Sequence, residues 1–293
     1  MNISAQSDSQ SKASKIGNAE LLRAKRSSSR EWDSVASAWE ANDRLIAGWE
    51  SVNEQIIKQA GIARGYNVVD IGSGTGQPAL AIARNVGENG SVAGFDFSDG
   101  MLSVARRKAA ALKLQTCDVT SLPLEDASCD AASSRFCIML LPELDKTLRE
   151  VFRVLKPGAC FAASVWGVKE KNPSITIPME ILMEYCPPPD GNSSRPQVFS
   201  LSKPGVLKEK LRDAGFSELT ETEVPFERKF PSGTDCIKRL KKMAAPFKKM
   251  FASIPPDKKN EAEKRMVDAI ESFRKGAEVI LPSAALIVSG KKP

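Results

Sequence analysis

Asn67-Val68-Val69-Asp70-Ile71-Gly72-Ser73-Gly74-Thr75-Gly76 is the segment best equipped for chemistry. Val68, Val69 and Ile71 form an apolar run suited to a buried parallel strand. Glycines at alternate positions turn the chain sharply and let a ligand approach the backbone closely. A helix expected from about Gln77 to Val86 offers free N–H groups to that ligand. The spacing is G-x-G-x-G rather than the dinucleotide G-x-G-x-x-G. Asp70 stands two residues before the first glycine, where a carboxylate would repel a pyrophosphate. It suits a ligand carrying positive charge, such as an ammonium or a sulfonium. A second acid, Asp96, ends the next expected strand, Ser91-Val92-Ala93-Gly94-Phe95-Asp96, roughly 20 residues beyond the loop, where this kind of fold sets a carboxylate against ribose hydroxyls.

These residues make the chain resemble a class I S-adenosylmethionine (SAM)-dependent methyltransferase, and in particular the ubiquinone/menaquinone C-methyltransferase-like group. Further segments carry the resemblance. Cys117-Asp118-Val119 with Leu122-Pro123-Leu124-Glu125-Asp126 is similar to the family's adenine-binding segment. Arg135-Phe136-Cys137-Ile138-Met139-Leu140-Leu141-Pro142-Glu143 is similar to its motif beside the methionine moiety. Arg153-Val154-Leu155-Lys156-Pro157-Gly158-Ala159 is similar to its turn into strand five. The resemblance implies SAM as cofactor, with no metal. It implies that Asp70 and the loop Gly72, Ser73, Gly74, Thr75 and Gly76 hold the methionine end. Asp96 would then hold the ribose and Asp118 and Val119 the adenine, with Phe97, Met101 and Arg135 as further cofactor-binding residues. It names no catalytic residue.

The implied fold is α/β and Rossmann-like, with a mostly parallel seven-stranded sheet, helices on both faces and helical lid insertions. The residue pattern agrees with that fold. Strands are expected at about 67–71, 91–96, 114–117, 129–134 and 159–166, with helices at 77–86, 99–111 and 144–155 between them. A helix at about 203–214 and two last strands, 216–224 and 279–289, complete the sheet.

Around this frame the sequence is less regular. Residues 1–30 contain eight serines, six Lys/Arg and two acids, and read as a disordered basic tail. Residues 31–293 read as a single domain. Glu31 to about Ala60 reads as a helical N-terminal lid carrying Trp32, Trp39, Leu45, Ile46 and Trp49, and Gly61 as its stop. By the resemblance, Trp32 or Trp39 lies near the cofactor. Residues 168–200 read as irregular, with Pro173, Pro178 and Pro187-Pro188-Pro189, and 233–275 as a helical insertion. Both face the substrate side.

The insertion's stretch 236–251 holds six basic residues and no acid, with Ile237, Leu240, Met243, Phe247 and Met250 at helical spacing. It reads as a lid helix kinked at Pro246. Its basic face also suits peripheral contact with a membrane surface. No stretch approaches the ~20 apolar residues that span a bilayer. A formal charge of +6 over 293 residues, part of it in the tail, argues against nucleic acid. The six scattered cysteines form no C-x-x-C pair and read as free thiols of a reducing compartment. The expected location is the cytoplasm, with a mitochondrial address for the tail as the alternative. A monomer or a homodimer is expected.

The chain has no histidine, which removes the commonest general base and metal ligand together. Methylation of a hydroxyl driven by a histidine base is excluded. The expected activity is transfer of a methyl group from SAM to a small-molecule acceptor, a specialised metabolite or a quinone-like precursor, by in-line displacement. A SAM-binding regulatory module without turnover is the alternative, and a nicotinamide dehydrogenase a third reading.

Overall fold

The computed structural model describes residues 4–43, 49–109, 112–187 and 198–293. Its helices are α1 (Ser4–Asp33), α2 (Ala36–Asp43), α3 (Trp49–Gln59), α4 (Ala79–Val86), α5 (Asp99–Lys108), α6 (Leu144–Val154), α7 (Pro173–Tyr185), α8 (Val206–Asp213), α9 (Gly233–Met243), α10 (Ala245–Ala252) and α11 (Lys259–Glu271). The strands are β1 (Asn67–Ile71), β2 (Ser91–Asp96), β3 (Lys113–Thr116), β4 (Cys129–Arg135), β5 (Leu155–Trp166), β6 (Ser217–Phe230), β7 (Arg274–Lys275) and β8 (Glu278–Lys291).

The sheet runs in the order β3-β2-β1-β4-β5-β8-β6, with the two-residue β7 paired to β8. Pairings from β3 across to β5 are parallel. β8 runs antiparallel to both β5 and β6. The expected seven strands are therefore present, with β7 as an eighth. Strand order reverses between β1 and β4, so the crevice lies at the carboxyl ends of β1, β2 and β4. Strand β4 is built from small residues, Ala131 to Ser134, all buried between helices on both faces. Helix α6 presents Leu148, Val151 and Val154 to the sheet at helical spacing.

Three sequence expectations change. The basic tail gives way to α1 over Ser4–Arg30. Its low apolar content hides it from periodicity. Contacts near its C-terminal end tie it to the fold: Ser29 donates to the Phe97 carbonyl at 2.9 Å, and Asp33 accepts from the Ser98 hydroxyl at 2.6 Å and the Gly100 N–H at 2.9 Å. The lid expected as one helix is divided into the end of α1, α2 and α3. Leu45 and Ile46 lie outside the described residues. The irregular stretch 168–200 contains α7, with Pro173 in its first turn and Pro178 inside it. Pro188 and Pro189 lie outside the described residues.

The insertion splits where Pro246 predicts a break, ending α9 and starting α10. Its apolar residues Ile237 and Phe247 are buried with Leu182 of α7, Phe230 of β6 and Met266 of α11 in a second core. The stripe that could face a membrane is thus used inside the protein. No described helix is long and apolar enough to cross a membrane.

Asn172 pins this second layer to the sheet. Its Nδ2 donates to the carbonyls of Val168 at 3.1 Å and Ala284 at 3.2 Å, and its Oδ1 accepts from the Ala284 N–H at 3.2 Å. It is fully buried. Each group orphaned by its removal costs about 1–3 kcal/mol. Asn172→Ala is therefore expected to lower unfolding stability by about 3 kcal/mol, read as an earlier urea midpoint with an unchanged slope.

Candidate functional site

The glycine loop is stitched to β2. The N–H groups of Gly72 and Ser73 both donate to the Phe95 carbonyl, at 2.7 and 3.0 Å. Gly72, Gly74 and Gly76 have φ of +71°, +52° and +101°, so each needs the freedom of glycine. At Gly72 a Cβ would lie 2.2 Å from the Cys137 sulfur, so β4's outgoing segment packs directly on the loop. At Gly74 a Cβ would meet only the Gly72 carbonyl, at 4.0 Å. That side of the loop is open.

It opens onto a cavity of about 690 Å³. Ten of the twelve residues expected at the cofactor line it: Gly72, Ser73, Gly74, Thr75, Asp96, Phe97, Met101, Asp118, Val119 and Arg135. Asp70 and Gly76 do not line it. Gly76 lies behind the loop, its Cα side against Ala105 and Leu80. Asp70 is fully buried beneath the loop: its Oδ1 accepts from the Ser133 hydroxyl at 2.6 Å, and its Oδ2 has no hydrogen-bond partner. Burial pushes its carboxyl above the ordinary range, against the Ser133 and Ser73 hydroxyls and the positive charge of Arg135.

Asp96 is the organising acid. One oxygen accepts the Gly74 N–H at 3.0 Å and the other the Ser98 N–H at 2.9 Å, so one carboxylate joins the loop to the start of α5. Burial pushes it up to about 6, only partly offset by those backbone bonds. Asp118 stands across the cavity. Its Oδ1 accepts from the Thr120 N–H and hydroxyl at 3.0 and 2.8 Å, and its Oδ2 from Lys25 of α1 at 2.7 Å. Burial would raise it, but the Lys25 and Thr120 bonds outweigh that and hold it below the usual range. Arg135 donates to Asn53 at 3.2 Å and stacks its guanidinium 4.6 Å from the Trp49 ring centre.

The other end of the cavity is aromatic. Trp32, Trp39, Trp49 and Phe136 line it, with successive ring centres 6.2, 5.7 and 5.8 Å apart. Phe136 holds φ of +51°, a conformation bulky residues rarely adopt, and stacks 4.3 Å from Trp166. Trp39 donates its indole N–H to the Met243 carbonyl at 2.7 Å, and Lys249 pairs with Glu31 at 3.3 Å. The N-terminal helices and the insertion therefore meet over one cavity, and Pro246 is part of its wall. The sequence pointed to Trp32 and Trp39, and to the segment that ends in Glu143, but not to Lys25, which also lines it. Lys25 sat in a segment without periodicity, so no local signal marked it.

Neither cysteine of the wall is a thiolate. Burial and the nearby Asp96 and Asp70 push Cys137 far above its ordinary value, and burial with Asp118 and Glu150 pushes Cys117 up to about 11. All six cysteines are free thiols. Among the described residues no group of three or more His, Cys, Asp or Glu could hold a metal ion.

The site suits SAM on its own geometry. It has an orphaned carboxylate oxygen under a glycine cradle, open space at Gly74, and two further acids facing one cavity.

Comparison with known proteins gives the same direction. Residues 69–163 match the model of a family described as a methyltransferase domain. The chain is similar to the demethylmenaquinone methyltransferase of Symbiobacterium thermophilum, 31% identical over 138 residues, covering 44% of this chain and 55% of that protein. It is 37% identical over 108 residues to that of Staphylococcus aureus, covering 36% and 45%. The chain thus spans about half the length of the curated relatives it matches. Among solved structures it is similar to phosphoethanolamine N-methyltransferase 2 of Haemonchus contortus in complex with phosphomonomethylethanolamine and S-adenosylhomocysteine. The TM-score is 0.55 at 20% identity, covering 89% of this chain and 57% of that one. The YcgJ protein of Bacillus subtilis gives 0.54 at 18% identity, covering 83% and 98%. At such identities these two likenesses bear on the fold.

Proposed function

We propose that the chain, whose residues 69–163 match the model of a methyltransferase domain family, is a SAM-dependent enzyme that methylates a small, largely apolar and planar acceptor. One observation carries this reading: a single cavity joins the glycine loop and its acids to a wall of Trp32, Trp39, Trp49 and Phe136. Flat apolar surfaces gain most from such a wall.

Bound SAM supplies an already activated methyl group on a sulfonium. The chain's own work is to bind, orient and exclude water. Gly72–Thr75 receive the methionine end, with Arg135 beside it and the buried Asp70 beneath the loop. Asp96, Phe97 and Met101 receive the ribose, and Asp118 and Val119 the adenine. The aromatic wall then holds the acceptor in line with the methyl group, an arrangement worth several kcal/mol (~7–11 at best) in avoided entropy loss. No histidine is available, and neither tyrosine of the chain lines the cavity. The thiols are neutral. The cavity carboxylates Asp118 and Glu143 are engaged by Lys25. Asp96, Glu20 and Glu31 also line the cavity, so the acceptor either arrives nucleophilic, as an amine, a stabilised carbanion, or an already acidic phenol or thiol, or gives its proton to a cavity carboxylate.

Residues 31–293 then act as one catalytic domain, joined at the cavity by the end of α1, and its N-terminal helices and insertions choose the acceptor. The demethylmenaquinone enzymes named above support an aromatic quinone-like ring as the first acceptor to test. Incubation with methyl-labelled SAM and a panel of aromatic and quinone-like metabolites tests the reading. A methylated product and stoichiometric S-adenosylhomocysteine are expected, detected by mass spectrometry. SAM binding with no S-adenosylhomocysteine from any acceptor would favour a regulatory module instead.

A further inference from the structure

Helix α1 is attached at two levels. Near its C-terminal end Asp33 accepts from the N–H of Gly100 and the hydroxyl of Ser98, the residue that caps α5. Ser29, one turn back, donates to the Phe97 carbonyl. Asp33 also fills the space beside Gly100, where a Cβ would lie 2.9 Å from its oxygen. These contacts fix α1 on the segment that follows Asp96. The next turn toward the N-terminus brings Lys25 over the cavity, and its ammonium bonds to Asp118 and Glu143 together.

Those carboxylates come from opposite rims, Asp118 from the loop after β3 and Glu143 from the approach to α6. Without a cation between them they would face one another as like charges. The bridge is partly solvated, with side-chain exposures of 19% for Lys25, 24% for Glu143 and 48% for Asp118. Salt screens such a group less than a fully exposed pair. Burial alone would lower Lys25, but the two carboxylates more than offset it and lift it above its ordinary range. Lys25 is thus charged throughout neutral pH. Asp118 Oδ1 already accepts two bonds from Thr120 and Oδ2 only one, from Lys25, so Oδ2 keeps a lone pair for an adenine amine while Lys25 fixes its position. The cavity persists beneath α1, whose Leu21, Ala24 and Ser28 form part of its wall. The helix therefore covers the space for a ligand without filling it.

We propose that Lys25 is a positioning residue of the cofactor site: by bridging Asp118 and Glu143 it closes α1 over the cavity, and bound cofactor leaves only when the bridge opens. This rests on the reading of the cavity as a SAM site. Lys25 touches neither reacting atom, and its role is read in retention of the cofactor rather than in the methyl-transfer step.

The test is the rate of S-adenosylhomocysteine dissociation from the full chain, followed by stopped-flow displacement. Lys25→Met is expected to release it at least about tenfold faster, and Glu143→Gln to fall between that variant and the wild type, as loss of a charge-assisted contact predicts. Lys25→Arg, which can still span two carboxylates, should stay within about threefold of the wild type. Raising salt from about 0.1 to about 1 M shortens the Debye length from ~10 to ~3 Å. It should speed release from the wild type and leave Lys25→Met unchanged. A merely structural lysine would not produce that difference in salt response. Unchanged or slower release from a folded Lys25→Met protein overturns the proposal, since Lys25 would then be inert or a competitor of the adenine. A wild-type chain that binds no S-adenosylhomocysteine at all overturns the cofactor reading, and the closure with it. That failure is distinct from unaltered kinetics in a chain that binds.

Discussion

Gly74→Val is expected to abolish SAM binding while the fold survives. Gly74 has φ of +52°, and a Cβ there meets nothing closer than the Gly72 carbonyl at 4.0 Å. The penalty to the fold is therefore mainly the left-handed backbone, about 1–2 kcal/mol for an L-residue. For a protein of this size that shifts the melting temperature by a few degrees, at roughly 2–4 °C per kcal/mol. Two methyl groups would meanwhile project into the cavity beside Asp96 and Thr75. Overfilling a site costs about 1–3 kcal/mol. Added to the lost approach of the ligand to the backbone, the dissociation constant should rise by more than about 100-fold, equivalent to ~2.7 kcal/mol. Gly72 would be a poorer probe, because its Cβ would strike the Cys137 sulfur at 2.2 Å and disturb the packing of the loop on β4. Calorimetric titration with SAM, beside thermal unfolding, separates the two effects. Wild-type affinity in the Gly74→Val protein would show that the glycine loop is not the binding surface.

Asp96→Ala should weaken SAM binding by about 1.5–3 kcal/mol, the value of a hydrogen bond to a charged group. That is roughly 10- to 150-fold, and the loop should also loosen, because the same carboxylate holds the N–H groups of Gly74 and Ser98. The pH dependence gives an independent reading. Burial raises Asp96 from 3.8 to about 6. Ribose hydroxyls donate to the ionised form, so SAM affinity should fall as the pH is lowered through about 6. The effect on stability has the opposite sign. The folded, ligand-free chain binds this proton more tightly than the unfolded chain does. The contribution of Asp96 to stability is therefore largest below the ordinary carboxylate range of about 4, and declines as the pH rises through about 6. Asp96→Asn keeps an acceptor oxygen but cannot titrate, and should bind with a flatter pH profile than the wild type. Equal dissociation constants for wild type and Asp96→Ala, flat from about pH 5 to 8, would remove Asp96 from the ribose site.

Much of the fold was legible in the residues because the signals are local. Val68, Val69 and Ile71 mark β1 by an apolar run, and β1 and β2 begin and end where the sequence places them, at 67–71 and 91–96. Ser98 caps α5 with its side chain accepting from the Met101 N–H, a bond made within four residues. Pro246 breaks the insertion into α9 and α10 for reasons contained in its own ring. Where pairing decides an element's length, the sequence fell short. Strand β6 runs on to Phe230, six residues past its expected end, because β8 continues beside it as far as Val279.

At the site, residue types alone marked an acid-flanked glycine loop for a cation-bearing ligand, because strand, turn and carboxylate lie within ten consecutive positions. The missing histidine limited the chemistry in the same local way. Only the tertiary structure decided what closes the cavity. Helix α1 has no apolar stripe to announce it, and it is held by Asp33, Ser29 and Lys25 through bonds to residues 65 to 118 positions away. The aromatic wall likewise joins Trp32, Trp39 and Trp49 to Phe136, which no spacing along the chain could predict. Asp70 shows the same division within one residue. Its type and position named a partner for positive charge, but its depth, with one oxygen on Ser133 and the other orphaned, follows from β4 packing against β1. Hydrogen bonds and ring contacts between distant segments exist only once the chain has brought those segments together, so the sequence could propose the ligand while the fold determined how it is enclosed.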